Sequence, residues 1–198
     1  MIYIDNNALE LAHNLVKTIY SQTDSAHDLY HIERVLVNAK KIANQIDCNY
    51  NLVCLIALLH DVDDKKLFPN QEDENYHAKQ ILTSINLNER DIEFLAHEIS
   101  IISFSKKSVP NSIEAKIVQD ADRLDAIGAV GIARTFTYGG SKGRPIYSRT
   151  EDSTIQHFYG KLLLLGETLN FSYSKEIASQ RIEFMKSFLE QFHKEIDM

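Results

Sequence analysis

His60 and Asp61 close a run of eight consecutive apolar residues at positions 52–59, Leu-Val-Cys-Leu-Ile-Ala-Leu-Leu. A helix apolar on every side has no face to give to water, so it belongs inside a core. Its end delivers an imidazole and a carboxylate to a partly dry interior edge. An ionised carboxylate there is costly unless it is paired or bound to a metal. The pair is therefore read as the centre of a metal site, with Asp63, Asp64, Lys65 and Lys66 following at once. His31 is a second imidazole beside an apolar stripe, and a later helix carries Asp120, Asp122 and Asp125. Periodicity alone does not choose among those three acids. A lone His or Asp at a helix end is ordinarily a capping or solvated residue, so the weight rests on the set.

Three helices must position these groups, which means that the site exists only once the helices have packed. A first helix is expected over 7–20, with Leu9, Leu11, Ala12, Leu15, Val16 and Ile19 as its apolar stripe. Asp24 or Ser25 is expected to cap the second. In that helix Ile32, Val35, Leu36, Ala39, Ile42, Ala43 and Ile46 recur at helical spacing, and His27 and His31 share a face near its start. After the apolar run, 67–75 reads as an exposed loop, a helix resumes near Tyr76, and another covers 88–102. The stretch 103–110 reads as a Ser- and Lys-rich break. The helix carrying the three acids follows, with Ile113, Ile117, Val118, Ala121 and Leu124 as its stripe, and Gly128 and Gly131 permit a bend or close helix contact. Residues 138–151, holding Gly139, Gly140, Gly143 and Pro145, read as one long irregular segment. Two helices close the chain, over 153–169 and 174–195, the last with Ile182, Met185, Leu189, Phe192 and Ile196 at heptad-like spacing.

The expected fold is all-α: a single-domain helical bundle over 1–198, with a core at about 24–130 and the helices of about 151–195 packed on it. Seven Gly and three Pro in 198 residues favour long helices over a many-stranded sheet. Cys48 and Cys54 lack a CxxC spacing and read as reduced structural thiols. A net charge of −7 argues against extended nucleic-acid binding, yet leaves room for a small phosphorylated substrate held by local cations. No apolar run approaches the roughly 18 residues of a membrane span, and the first residues show no export signal. A cytoplasmic protein, monomeric or homodimeric, is expected.

The ordered set His31, His60-Asp61 and a distant Asp resembles the signature of the HD-domain superfamily of metal-dependent phosphohydrolases. Four strings resemble its small stand-alone bacterial members in particular: 27–35 (HDLYHIERV), 57–65 (ALLHDVDDK), 119–128 (QDADRLDAIG) and 157–163 (HFYGKLL). They keep their order over about 24–190. The resemblance selects Asp122 as the last ligand, beside His31, His60 and Asp61. Two imidazoles and two carboxylates without a thiolate favour Mn²⁺, Mg²⁺, Fe²⁺ or a similar ion over a structural zinc, and Mn²⁺ is the expected ion, with Mg²⁺, Fe²⁺, Co²⁺ or Ni²⁺ as alternatives.

The resemblance further implies hydrolysis of a phosphoester or phosphoanhydride, with (deoxy)nucleoside triphosphates split to monophosphate and pyrophosphate. A divalent ion would polarise the attacked phosphoryl group and acidify a bound water. Asp64, one turn after His60, is placed to accept the proton of that water, against the plainer reading of an exposed acid paired with a lysine. Lys65 and His27 are further candidates for the catalytic set. For substrate phosphate the candidates are Arg34, Lys106, Arg123, Lys142, Arg144, His157 and Lys161, arginine forks suiting phosphate oxygens. Lys66 and Lys107 read as solvated lysines, His157 equally as a core histidine, and 138–144 as a lid. The alternatives are a nucleotide phosphatase, a cyclic-nucleotide phosphodiesterase, or a nucleotide sensor that turns nothing over.

Overall fold

Asp5 turns its carboxylate onto the Ala8 N–H at 2.8 Å and so starts the first helix, α1 (Asn6–Tyr20). In this computed structural model residues 2–21, 29–65, 68, 75–103, 106, 108–149 and 152–196 are described. Among the described residues there are nine α-helices, one 3₁₀ helix and no strand, so the all-α expectation holds. None of these helices is long and apolar enough to cross a membrane. The chain divides into two compact units, Met1–Ala121 and Asp122–Met198.

The first unit is built around α3 (Tyr50–Leu59), which packs against α1, α2 (Leu29–Ala43) and α5 (Glu89–Ser100). Every residue from Leu52 to Leu59 is buried, as an all-round apolar helix requires. Each such Leu, Ile or Val contributes about 1.5–3 kcal/mol by leaving water. Asn49 fixes the start of α3 by accepting from the Leu52 N–H at 3.2 Å, while its own amide donates to the Ile2 carbonyl at 2.7 Å. On α2 five of the seven predicted stripe residues are buried, Ile32, Val35, Ala39, Ile42 and Ala43, while Leu36 is half-buried and Ile46 lies past the helix end. Asp24 and Ser25, the expected caps, lie outside the described residues. α4 (Tyr76–Ser84) begins where expected, and α5 takes Asn88 as its cap, accepting from the Asp91 N–H at 3.0 Å.

Glu98 ties α5 to α6 (Ile113–Asp125). Its side chain is fully buried, and its two oxygens accept from the N–H and side-chain amide of Asn111 and from the N–H and hydroxyl of Ser112. Burial alone would raise this carboxyl; the bonds from Ser112 and Asn111 outweigh burial and hold it below the usual carboxylate range. Cys48 and Cys54 are unpaired with each other, and burial, first among the causes, pushes both thiols up, consistent with inert structural residues.

In the second unit α9 (Ser172–Ile196) packs against α7 (Gly128–Ser141) and against a 3₁₀ helix (Leu162–Thr168) that follows α8 (Thr154–Gly160). Met185 and Leu189 of the heptad-like set are buried, and Ile182, Phe192 and Ile196 are partly so. Two expectations are corrected here. The segment starting at 138 is not irregular throughout, because α7 runs on to Ser141 through Gly139-Gly140. Gly139 is there for proximity: a Cβ would come within 2.3 Å of Thr154 Oγ1. The helix then ends in a Schellman motif, with Gly143 at φ +66° and the Arg144 N–H returning to the Gly139 carbonyl at 2.9 Å. Residues 138–141, at the start of the expected lid, are thus helical. The expected helix over 153–169 is also two elements, broken at Lys161, whose φ −141° and ψ −59° are not helical.

Replacing Glu98 by Gln keeps one accepting oxygen but turns an amide NH2 onto two of the four donors, and should cost about 3 kcal/mol of unfolding free energy. Because the folded pKa lies below the ordinary one, this contribution is complete above the ordinary carboxylate value and disappears as pH falls through the depressed value. Urea unfolding in acid and at neutral pH should show that loss in the wild type, and a smaller acid-side decline in Glu98→Gln.

Candidate metal centre

α3 stops at Leu59, and His60 takes up the C-cap position with φ −61°. Its Nδ1 lies 2.9 Å from the Ala57 carbonyl, an acceptor, so the ring proton sits on Nδ1 and Nε2 presents a lone pair. That Nε2 is 3.4 Å from Nε2 of His31, and the two rings meet edge-on with centroids 5.3 Å apart. His31 is buried on the same α2 that lays its apolar stripe in the core. Asp61 follows directly, its Oδ2 3.5 Å from His31 Nε2, and its backbone carbonyl accepts from the buried Tyr20 hydroxyl at 3.2 Å.

The fourth group comes from α6. Within the first unit, Asn38 on α2 donates to the Ala121 carbonyl at 3.5 Å, and the next residue of that continuous helix is Asp122. One ligand atom each from His31, His60 and Asp122 lie within 4.8 Å of one another. A fixed imidazole tautomer with its lone pair turned inward, a second imidazole and carboxylate oxygens suit a hard or borderline divalent cation. The residues present fit such an ion, with the carbonyl of Ala57 orienting one ligand from behind.

The neighbouring acids have separate roles. Asp64 is half-buried, and its N–H donates to the Asp61 carbonyl at 3.2 Å. Asp63, to which the sequence reading gave no role, accepts from the N–H groups of His77 and Ala78 at 2.9 Å each and from His77 Nδ1 at 2.8 Å. No local pattern marks it, since its partner lies fourteen residues on. Tyr20 was also missed, for in the sequence it is only the last residue of the first helix, outside the apolar stripe. Arg34 is half-buried on α2, Lys65 and Lys106 are exposed, and His27 lies outside the described residues.

The remaining candidates belong to the second unit. Arg123 is buried and its Nη1 donates to the Thr168 carbonyl, which gives this cation a structural partner. Lys142 is exposed, its ammonium 5.8 Å from the Tyr138 ring centre. Arg144 pairs with Asp152 at 3.2 Å. His157 is half-buried on α8; burial, then the charges of Lys161 and Arg144, push its imidazole below the ordinary value, against a weaker pull from Asp152. The structure thus brings His157, Lys161 and Arg144 into one electrostatic neighbourhood.

A family model described as HD domain matches residues 28–127. The Bacillus subtilis protein YpgQ is 37% identical over 185 residues, covering 91% of this chain and 90% of YpgQ. The crystal structure of YpgQ in complex with ADP superposes with a TM-score of 0.81 at 36% identity, over 95% of this chain and 96% of that one. An HD-superfamily hydrolase from Bacillus thuringiensis does so with a TM-score of 0.79 at 39% identity, over 96% and 97%.

His157 should titrate below the ordinary imidazole range of about 6.5. Its protonation is disfavoured in the folded state, so stability should fall as pH drops below that range. Following its ring protons by NMR checks this, and Lys161→Met should move the midpoint upward.

Proposed function

This chain belongs to the HD-domain family, and on that footing we propose that it is a divalent-metal-dependent phosphohydrolase that splits (deoxy)nucleoside triphosphates to monophosphate and pyrophosphate. The observation that carries the reading is the convergence of His31, His60 and Asp122, with Asp61 beside His31. Nucleotide as the substrate class is supported by the ADP complex of YpgQ. In this reading His31, His60, Asp61 and Asp122 hold the ion, Mn²⁺ by preference. When bound, the ion polarises the phosphoryl group and acidifies the attacking water.

The rest is work for side chains. Asp64 accepts the proton of the water that attacks the α-phosphorus, and breakage of the α–β anhydride releases pyrophosphate. Lys65, Arg34 and Lys106 meet negative charge on the phosphates from the first unit. His27 is retained as a proton donor to the leaving oxygen. Lys142, Arg144, His157 and Lys161 are proposed to receive the distal phosphates. An unprotonated His157 beside two cations would contribute as a hydrogen-bonding group rather than as a third charge. Arg123 is the weakest of the phosphate candidates, because its guanidinium already serves the Thr168 carbonyl.

The test is product analysis with Mn²⁺ and a panel of nucleoside mono- and triphosphates. The expected result is monophosphate plus pyrophosphate, reduced about 100-fold or more in Asp61→Ala. Orthophosphate from monophosphates would point instead to a phosphatase. A protein that binds metal and nucleotide but releases nothing would be a sensor.

A further inference from the structure

Three carboxylates within four residues, Asp61, Asp63 and Asp64, would repel one another and compete for any cation nearby. The middle one is taken out of that competition. Asp63 Oδ1 accepts from both the backbone and the ring of His77, and Oδ2 accepts from the Ala78 N–H, all at 2.8–2.9 Å. Its side chain is 11% exposed and that of His77 17%. The two backbone donors belong to the first turn of α4, where the helix dipole favours a negative charge. Among the described residues α4 has no other side-chain cap: Asn75, in the capping position, is left-handed at φ 61° and makes no capping bond. A residue before the helix in sequence but outside it has taken over the cap.

His77 completes the fastening. Nδ1 donates to Asp63, and the ring lies between Phe68, with centroids 4.3 Å apart, and Tyr76 at 5.2 Å. Phe68 in turn donates its N–H to the Asp64 carbonyl at 3.1 Å. The turn that carries the acids is therefore held on three sides. The Val62 N–H returns to Leu59 at 3.3 Å, Tyr20 holds the Asp61 carbonyl at 3.2 Å, and α4 holds Asp63. α4 is anchored itself by buried Ala78, Ile81 and Leu82 and by Lys79 pairing with Glu93 on α5 at 2.6 Å.

We propose that Asp63 and His77 are a positioning pair, which clamps the turn after α3 to the start of α4 and so aims Asp61 at the metal and Asp64 at the substrate water. This rests on the metal-centre reading above and adds to it two residues that never touch the ion. Groups that hydrogen-bond a metal ligand typically set metal affinity by 10–100-fold, and this pair acts on the same orientation through the ligand's backbone.

The experiment is a Mn²⁺ titration of the full chain by calorimetry beside its thermal midpoint, for wild type, Asp63→Ala, Asp63→Asn, His77→Phe and Asn88→Ala. Asn88 caps α5 and does not touch the turn, so Asn88→Ala reports the effect of losing a cap alone. Asp63→Ala is expected to weaken Mn²⁺ binding about 10-fold or more. Asp63→Asn, which keeps one oxygen for α4, should recover part of that loss. His77→Phe, which keeps the ring packing, should fall between wild type and Asp63→Ala. Asn88→Ala should lower the midpoint with no change in Mn²⁺ affinity. The inference is overturned if Asp63→Ala loses stability as Asn88→Ala does while Mn²⁺ binds as in wild type. A wild-type chain that takes up no divalent ion would instead overturn the proposed function, and the positioning role with it.

Discussion

The burial of α3 fixes everything at the site. Eight consecutive buried apolar residues, of which the six Leu, Ile and Val contribute about 1.5–3 kcal/mol each, hold this helix far more firmly than hydrogen bonds of about 1 kcal/mol could. A shift of one residue along its axis would move His60 by ~1.5 Å and turn it ~100° away from His31. Burial thus decides where the imidazole is, and the Ala57 carbonyl decides which nitrogen it offers. Hydrophobic packing supplies the position and polar contacts supply the aim.

That division explains what could be read in the sequence. α3 was legible because an apolar run with no polar face has only one place to go, and α2 because its stripe keeps a helical period. The far end of α7 was not. Gly139-Gly140 is a loop signal by composition, and only the proximity of Thr154 shows that Gly139 makes room within a helix. The break at Lys161 was hidden as well, since the leucines that follow it suit a 3₁₀ helix and an α-helix equally well.

For the site, the two imidazoles followed from their place beside apolar stripes, whereas Asp122 needed a family likeness. Asp120, Asp122 and Asp125 share one helix, and the structure gives them different circumstances. Asp120 is fully buried, Asp125 is ion-paired with Arg134, and Asp122 stands half-exposed near the imidazoles. Cations were harder still. Nothing in the sequence separates Arg123, buried against a backbone carbonyl, from Lys142, exposed at a helix end. Burial distinguishes them, and burial is a property of the fold rather than of the residue type.

The missing cap of α4 also bears on how this protein folds. A nine-residue helix is too short to persist alone in water, and this one has no local nucleating contact of its own at Asn75. Its first turn is completed by Asp63, which follows closely on the end of the buried α3. The contacts therefore couple α4 to the end of α3 through the acidic turn. Loss of α3 from the core would remove the cap of α4 with it. Chemistry and cooperativity share a checkpoint, and the region that opens first in the native state should open as one unit.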